Sequence, residues 1–385
     1  MKYNKLGKTN LSVSEIGLGC EHLQGKDYSV IKTTIEKAIA NGINILDVFM
    51  SEPDVRTNIG NVLDGQREKV IIQGHIGAIW KDGQYTLSRD LNECKQAFED
   101  LLTRLKTSYI DIGMIHFVDT EEDFDAIFGG EIIAYVKELK KNGVIKSIGL
   151  CTHEIAIAKR AVETGLVDIL MFSLNPAFDL LPDGVSIDDM LVSEKVGNAM
   201  QNHIDPDRME LYQICQRNDV AITVMKVYMA GILLNSESSP FGWALTPAQC
   251  IHYALTRPSV ASVIVGCISP EEIQSAVEYE TATDEEKDFS EIFTKKFNAE
   301  AKCVYCNHCL PCPARIDIAQ VNKYLDLAKG MPEIPATVIA HYKALPANAQ
   351  DCIACGDCEK RCPFGVAVRQ RMEEAKGAFD KTITN

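Results

Sequence analysis

Short apolar runs alternate with longer amphipathic stretches along most of the chain. Runs of about four to six mostly apolar residues are typical of buried strands, whereas apolar residues spaced three or four apart indicate helices. We therefore predict eight strands, at residues 15–18, 43–48, 70–73, 110–115, 147–150, 169–173, 221–225 and 262–265. Helices are predicted between them, including residues 29–40, 88–105, 132–141 and 155–164.

The regular alternation of strand and helix predicts the fold. Eight such repeats favour an α/β structure closed as a (β/α)8 TIM barrel. A doubly wound open sheet is the competing architecture. It is disfavoured because Gly17-Leu18-Gly19 lacks the third glycine and the helix start of a dinucleotide-binding turn.

Three further segments are placed around this barrel. Residues 5–10 indicate a hairpin turn between two short strands, and residues 184–206 form a long insertion after the sixth strand. A charged helical segment at residues 284–298 leads into a cysteine-rich tail. We therefore divide the chain into a barrel at residues 1–299 and a second domain at residues 300–385.

Composition and charge narrow the class of protein. The chain has 46% hydrophobic residues and a formal net charge of −15, which is typical of a soluble protein and disfavours binding to nucleic acid phosphates. We see no apolar run of about eighteen residues that would span a membrane, and no secretory signal in the polar start of the chain. We therefore expect a cytoplasmic protein with no membrane partner.

Cysteine usage points to a metal cofactor. The chain has 14 cysteines, of which six are scattered and are expected to be small buried residues. They are Cys20, Cys94, Cys151, Cys215, Cys250 and Cys267. The other eight form two tight groups, which in a reducing compartment favour metal over disulfides.

The spacing within the two groups predicts two 4Fe-4S clusters. The first group is Cys303, Cys306, Cys309 and Cys312, and the second is Cys352, Cys355, Cys358 and Cys362, each followed by proline. The second matches a bacterial ferredoxin run, whose fourth cysteine binds the other cluster. We therefore group Cys362 with Cys303, Cys306 and Cys309, and Cys312 with Cys352, Cys355 and Cys358. The first run departs from the pattern before Cys312. Two zinc sites are the alternative, although zinc knuckles use separated pairs.

The barrel region resembles the aldo/keto reductases. The resemblance is carried by Leu6-Gly7-Lys8-Thr9, Ser14-Glu15-Ile16-Gly17-Leu18-Gly19, Asn44-Ile45-Leu46-Asp47, Tyr109-Ile110-Asp111-Ile112, Ile115-His116, Ser147-Ile148-Gly149, Val224-Met225-Lys226 and Val263-Ile264-Val265-Gly266. With the tail, the chain is similar to the branch of that family that has a small, α-rich, bacterial-ferredoxin-like iron–sulfur domain.

The resemblance implies a catalytic tetrad of Asp, Tyr, Lys and His, of which two members are kept. Asp47 and His116 match, whereas the Tyr position is Glu52 and the Lys position is His75. Barrel active sites lie at the carboxyl ends of the strands, so we expect these four residues to meet there as an acid–base or metal-binding set. The alternative is a tetrad that has lost its function.

The resemblance also implies a site for NADP(H), with Gly266, Ser269, Lys226 and Cys151 as candidate contacts. The Ser-Asn pair of the family is Cys151-Thr152 here, its Gln is Met171, and its Glu-Asn pair is Ser275-Ala276. These replacements remove most of the polar contacts that the family uses for the nucleotide.

Together these features predict an iron–sulfur oxidoreductase. Electrons would pass through two 4Fe-4S clusters to or from a small-molecule substrate at the barrel mouth, with ferredoxin or another redox carrier as partner. One alternative is an NADP(H)-dependent reductase coupled to ferredoxin. Another is a non-catalytic electron carrier or redox sensor.

Overall fold

The computed structural model describes residues 1–181, 200–201, 203–294, 303, 305, 309–329, 334–362 and 365–380. Within these ranges the strands are β1 (Tyr3–Lys5), β2 (Ser12–Ser14), β3 (Ile16–Gly19), β4 (Ile45–Val48), β5 (Ile71–Ile76), β6 (Ala78–Lys81), β7 (Gln84–Leu87), β8 (Ile110–Ile115), β9 (Ile145–Thr152), β10 (Ile169–Ser173), β11 (Ala221–Met225) and β12 (Val260–Gly266).

The helices in the same ranges are α1 (Tyr28–Ala40), α2 (Pro53–Leu63), α3 (Leu91–Arg104), α4 (Glu121–Phe128), α5 (Glu131–Lys141), α6 (Ile155–Glu163), α7 (Pro176–Asp179), α8 (Pro206–Arg217), α9 (Pro247–Leu255), α10 (Pro270–Val277), α11 (Asp284–Lys287), α12 (Glu291–Thr294), α13 (Ile318–Lys329), α14 (Ala336–Lys343), α15 (Asp357–Arg361) and α16 (Val368–Asp380). None of these is long and apolar enough to cross a bilayer.

Eight parallel strands close into a barrel in the order β10, β11, β12, β3, β4, β5, β8, β9. Every residue of β4, β8 and β10 is buried, as expected for parallel strands covered on both faces. All eight predicted strands are barrel strands, and the three at 110–115, 169–173 and 221–225 have the predicted bounds. The predicted (β/α)8 barrel is therefore confirmed.

The hairpin at the start of the chain is also confirmed, since β1 pairs antiparallel with β2. The six scattered cysteines are all buried, as predicted. The predicted helix at 88–105 is wrong at its start. It begins only at Leu91, because the carboxylate of Asp90 accepts hydrogen bonds from the backbone N–H groups of Asn92 and Glu93.

The loop before α3 contains an antiparallel hairpin of β6 and β7, which the sequence analysis did not predict. The hairpin follows β5 at the carboxyl end of that barrel strand. Barrel enzymes build their active sites from the loops at this end. The hairpin therefore belongs to the region where the candidate site is expected.

The charged segment predicted as one helix at 284–298 is also different. It forms the short helices α11 and α12, and Asp288 between them is extended and accepts a hydrogen bond from the Ser290 N–H. Residues 295–298 lie outside the described residues, as does most of the predicted insertion at 184–206. Its end is described, because α8 begins at Pro206 with Asp205 as its cap.

The chain packs as two compact units. The first is Met1–Leu174, Asp219–Ala230 and Ser259–Thr281, which together hold all eight barrel strands. The second is Asn175–Asn218, Gly231–Pro258 and Ala282–Asn385. These units differ from the division into residues 1–299 and 300–385, which stays a prediction.

The described part of the second unit is helical. Within it the carboxylate of Asp179 is fully buried and bonds Arg208 Nε at 2.8 Å, Tyr212 Oη at 2.5 Å and Tyr253 Oη at 2.9 Å. Three donors offset the cost of burying this charge. In the C-terminal region, Lys323 Nζ donates to the Arg257 carbonyl at 3.2 Å. The segment Gly231–Pro258 of this unit thus contacts its C-terminal region.

We predict that Gly60→Ala destabilises the barrel unit. A Cβ at Gly60 in α2 would lie 2.0 Å from the carbonyl oxygen of Arg104, so the helices would have to separate, at a cost of about 1–3 kcal/mol. Gly377→Ala in α16 is the control, because a Cβ there meets no described atom within 4 Å and alanine favours a helix. Urea unfolding followed by circular dichroism measures both. Equal loss of stability in the two variants would contradict this account.

Candidate active site

Three of the predicted site residues lie at the carboxyl ends of neighbouring strands. Asp47 is in β4, His75 is in β5 and His116 directly follows β8, and these strands are adjacent in the barrel. Their exposed fractions are 3%, 2% and 5%. The parallel strand order therefore brings together residues that are distant in the sequence.

A continuous chain of hydrogen bonds joins these three residues. His75 Nε2 lies 2.9 Å from Asp47 Oδ1, and His75 Nδ1 lies 2.8 Å from His116 Nδ1. The amide of Gln73 donates to the same Asp47 oxygen at 2.9 Å. A buried carboxylate is costly unless it is hydrogen-bonded, so Asp47 requires these donors and in turn orients the ring of His75.

Tyr85 ends the chain and was missed by the sequence analysis. Its hydroxyl lies 2.7 Å from His116 Nε2. Tyr85 is on β7 opposite Trp80, and the intervening Asp82 and Gly83 both have positive φ. An Asp-Gly pair between two short apolar and aromatic runs is a hairpin signal, so this pattern could have predicted the hairpin that carries Tyr85.

The ring of Phe49 packs against the same side chains. It stacks on His116 with centroids 5.4 Å apart and meets His75 and Tyr85 edge-on at 5.8 and 6.1 Å. Such contacts restrict ring orientation and exclude water. The geometry of the hydrogen-bonded chain is therefore supported by apolar packing.

One arrangement of hydrogen atoms satisfies every contact in the chain with both imidazoles neutral. With Asp47 ionised, His75 Nε2–H donates to it, which leaves His75 Nδ1 as an acceptor. His116 Nδ1–H then donates to His75, and the free His116 Nε2 accepts from the Tyr85 hydroxyl. All three hydrogen bonds point toward Asp47, and reversing them all requires a proton on Asp47.

The electrostatics of the site favour this neutral arrangement. Burial, followed by the proximity of His75, holds the pKa of His116 well below its usual value of 6.5. Burial also raises the pKa of Tyr85 above 10.0. At neutral pH His116 is therefore an uncharged acceptor and Tyr85 keeps its proton.

Glu52 does not belong to this chain of contacts. Its carboxylate accepts a hydrogen bond from the Val55 N–H at 2.8 Å and so caps the start of α2. The structure thus brings together three of the four predicted catalytic residues and gives the fourth a local structural contact. The catalytic role of Glu52 stays a prediction.

A second acid–base pair joins His153, directly after β9, to Asp119 in the loop after β8. Both the ring and the backbone N–H of His153 contact Asp119, each at 2.8 Å. Although burial opposes it, hydrogen bonding from His153 keeps the pKa of Asp119 below its usual value. Arg89 donates to the carbonyl of His116 at 2.8 Å and fixes the start of this loop.

Comparison with known proteins now identifies the family. The sequence profile of the aldo/keto reductase family matches residues 15–242, which are more than half of the chain. This chain belongs to the aldo/keto reductase family. Its relatives are oxidoreductases, and the described residues have the barrel expected of that family.

Two relatives show how far the similarity extends. The chain is 33% identical over 189 residues to the oxidoreductase YqkF of Bacillus subtilis, which covers 48% of this chain and 59% of YqkF. It is 26% identical over 256 residues to an NADH-specific methylglyoxal reductase of Escherichia coli, which covers 60% of this chain and 69% of that protein. The match to YqkF therefore spans less than two thirds of its length.

A solved structure shows the same fold. The holo form of the aldo-keto reductase AKR11C1 from Bacillus halodurans aligns with a TM-score of 0.60 and 24% identity. The alignment covers 77% of this chain and 96% of that chain. At this identity the likeness establishes the barrel fold and nothing further about this site.

The residues predicted for the nicotinamide position do not fit the family's cofactor. The hydroxyl of Thr152 donates to Asp119 at 2.8 Å, so it is already engaged within the protein. Met171, in place of the family's Gln, is buried and offers only a thioether, 3.8 Å from the amide of Gln73. These side chains lack the paired donors and acceptors that a carboxamide needs.

The four candidate nucleotide contacts have varied surroundings. A Cβ at Gly266 would lie 2.6 Å from the ring of His22, which packs against this strand end. Ser269 caps α10, and Lys226 is exposed with a positive φ. Burial, followed by the charge of Asp47, raises the pKa of Cys151 to about 12, so this residue remains a thiol. A nucleotide-binding role for these residues stays a prediction.

Four cysteines from both runs line one concavity in the second unit. They are Cys312, Cys352, Cys355 and Cys358. Ile316, Ile318 and Met372 form part of its apolar lining. These are the four cysteines that the sequence spacing assigned to one cluster.

The remaining described cysteines also link the two runs. Burial, and among smaller contributions the charge of Cys362, raise the pKa of Cys303 to about 11. Arg361, which precedes Cys362, donates to the carbonyl oxygens of Cys309 at 3.0 Å and Pro311 at 2.7 Å. The chain segments around both runs are therefore held together.

A site for a single metal ion has different requirements from a site for an iron–sulfur cluster. Among the described residues, no three His, Cys, Asp or Glu side chains are arranged to hold one metal ion. The ligands of a single ion converge on one point, whereas those of a cubane bind separate irons. Cys306 lies outside the described residues, and the assignment of all eight cysteines as ligands stays a prediction.

We predict that His116 makes stability fall below neutral pH. Its folded pKa is depressed, so as pH falls below about 6.5 the unfolded chain binds a proton that the folded chain does not. The penalty is absent above that pH and reaches about 1.4 kcal/mol per unit below it. Urea unfolding between about pH 7.5 and 5 should show a shallower pH dependence for His116→Gln than for wild type. Identical slopes would contradict a buried neutral His116.

Proposed function

We propose that this chain is an iron–sulfur oxidoreductase acting on a small organic carbonyl or alcohol at the barrel mouth. The observation that carries the proposal is the concavity lined by Cys312, Cys352, Cys355 and Cys358. Cys312 comes from a different run than the other three, and the ferredoxin pattern requires this exchange of the fourth ligand. Membership in a family of oxidoreductases supports a catalytic role for the barrel.

The surroundings of these cysteines are compatible with a 4Fe-4S cluster. The four cysteines line a space whose other lining is largely apolar, and the polarity and solvent exposure of such surroundings are among the features that tune cluster potential. The second cluster would be held by Cys303, Cys306, Cys309 and Cys362, with Arg361 joining the two runs. When bound, such clusters supply one-electron transfer.

The barrel mouth supplies the proton chemistry. Reduction of a carbonyl to an alcohol consumes two electrons and two protons, and we propose a reduced one-electron carrier of the ferredoxin class as the electron source. His75 is held by Asp47 and lies next to His116, so a carboxylate and two imidazoles are hydrogen-bonded to one another in a buried set. The ring of Phe49 covers one side of this set by stacking on His116.

Dependence on NADP(H) is the second candidate, because the family and the NADH-specific relative from E. coli favour it. Against it stand the engaged hydroxyl of Thr152 and the thioether of Met171. We therefore assign no reaction step to a nucleotide. Anaerobic addition of NADPH is expected to leave the visible absorbance of the reconstituted protein unchanged, and bleaching would favour the nucleotide.

The cluster assignment predicts which cysteine variants behave alike. Anaerobically reconstituted protein should contain about eight iron atoms per chain, falling to about four in Cys312→Ala and in Cys355→Ala. Both variants should remove the same electron paramagnetic resonance signal, and Cys362→Ala should remove the other. Cys94→Ala, at a buried cysteine outside both runs, is the control. If Cys312→Ala and Cys362→Ala removed the same signal, the assignment would be wrong.

The role of the mouth predicts a separable effect on turnover. With reduced methyl viologen as donor and methylglyoxal as the probe, Asp47→Asn should lower kcat by about 100-fold or more while iron content stays unchanged. Glu36→Gln, exposed on α1, should leave kcat unchanged. Turnover that survives Asp47→Asn would favour the non-catalytic alternative for the mouth. Loss on Glu52→Gln would support the predicted role of Glu52.

A further inference from the structure

We propose that Tyr85 is a catalytic residue of this site. Its hydroxyl would exchange a proton with the oxygen atom of the substrate, and His116 and His75 would relay that proton to and from Asp47. The inference rests on the proposed function and names the side chain that touches the substrate.

Solvent exposure is greatest at the Tyr85 end of the chain of contacts. Asp47, His75 and His116 are almost completely enclosed, whereas Tyr85 is 37% exposed. A substrate arriving from solvent therefore meets the phenol before it meets either imidazole. Tyr85 is also the end of the chain, since its hydroxyl contacts the outer nitrogen of His116.

The contacts form a continuous path for a proton. In the neutral arrangement each donor points inward, from Tyr85 through His116 and His75 to Asp47. When a substrate hydroxyl gives its proton to Tyr85, Tyr85 passes its own proton to His116 Nε2. His116 passes the Nδ1 proton to His75, and His75 passes the Nε2 proton to Asp47.

This transfer balances without charging an imidazole. One O–H bond breaks at the substrate and one forms at Asp47, while both histidines only exchange tautomers. In the reverse direction Asp47 first takes up a proton from water and then reprotonates the path as Tyr85 gives its proton to the carbonyl oxygen. The carrier supplies the two electrons, and a second proton from water forms the new C–H bond. The relay moves a proton and no electrons, so the electrons come from the carrier already named.

The groups around His116 disfavour a positive charge on its ring. The groups that face His116 are His75, Arg89 and His153, and each disfavours an added positive charge there. Those that face Tyr85 include Arg89, Glu21 and Cys151. A proton therefore has no stable resting place on His116, which favours transfer along the whole path.

The decisive experiment compares Tyr85→Phe with Gln84→Ala, an exposed neighbour in the same hairpin. With methylglyoxal and reduced methyl viologen, Tyr85→Phe should lower kcat by about 100-fold with little change in KM, and it should alter the pH profile of kcat. Gln84→Ala should match wild type. Unchanged kcat and pH profile in a folded Tyr85→Phe protein would overturn the inference while leaving the proposed function intact.

Two further measurements keep the inference testable if turnover is absent or the variant folds poorly. In ¹⁵N spectra of the histidines, loss of the Tyr85 hydroxyl should shift the Nε2 resonance of His116 and leave that of His153 unchanged. A fluorinated tyrosine at position 85 keeps the shape and acidifies the phenol, so it should move the alkaline limb of the pH profile. If His116 and His75 both carry their hydrogen on Nε2 in wild type, no hydrogen lies between the two imidazoles, the path to Asp47 is broken and the inference fails.

Discussion

A buried carboxylate at the end of β4 organises the mouth of this barrel. Asp47 is enclosed by protein, and its charge is offset by donors from Gln73 and His75 on the neighbouring strand. Because His75 must donate through Nε2, its Nδ1 is directed at His116, and the outer nitrogen of His116 is directed at Tyr85. A single electrostatic requirement thus sets the orientation of three aromatic side chains on three different elements.

The second unit contains the cysteines that we relate to the residues at the barrel mouth. A carbonyl reductase that takes hydride from a nucleotide needs a polar pocket for the carboxamide, and Thr152 and Met171 do not provide one here. Four cysteines from two separate runs meet instead around one apolar concavity. We interpret the barrel as a family scaffold whose proton chemistry has been rebuilt and whose electrons come from a carrier in place of a bound nucleotide.

The barrel was predictable because buried parallel strands consist of short apolar runs in the sequence. The strands β8, β10 and β11 have the bounds expected from those runs. Asp47, His75 and His116 were predictable as a group because strand order alone brings them to one rim. Their mutual hydrogen bonds were not, since these depend on side-chain rotamers. The contact made by Glu52 was not predictable for a related reason, because counting along the chain gives its position but not the hydrogen bond from the Val55 N–H.

The largest omission was Tyr85. No element was predicted between the strand at 70–73 and the helix at 88–105, and the Asp-Gly turn that places Tyr85 beside His116 was overlooked. The grouping of Cys312 with the cysteines of the second run, unlike the position of Tyr85, was predicted from the sequence. Spacing predicted it, and the concavity that these cysteines share now supports it. Local turn chemistry and long-range packing therefore contributed different parts of this account.

The measurement that tests the central claim most directly is the ¹⁵N assignment of the His75 and His116 tautomers at neutral pH. The account predicts two neutral imidazoles, with hydrogen on Nε2 of His75 and on Nδ1 of His116. An imidazolium at either position, or hydrogen on Nδ1 of His75, would contradict it. Asp47 would then not be the endpoint that orients the chain of hydrogen bonds to Tyr85.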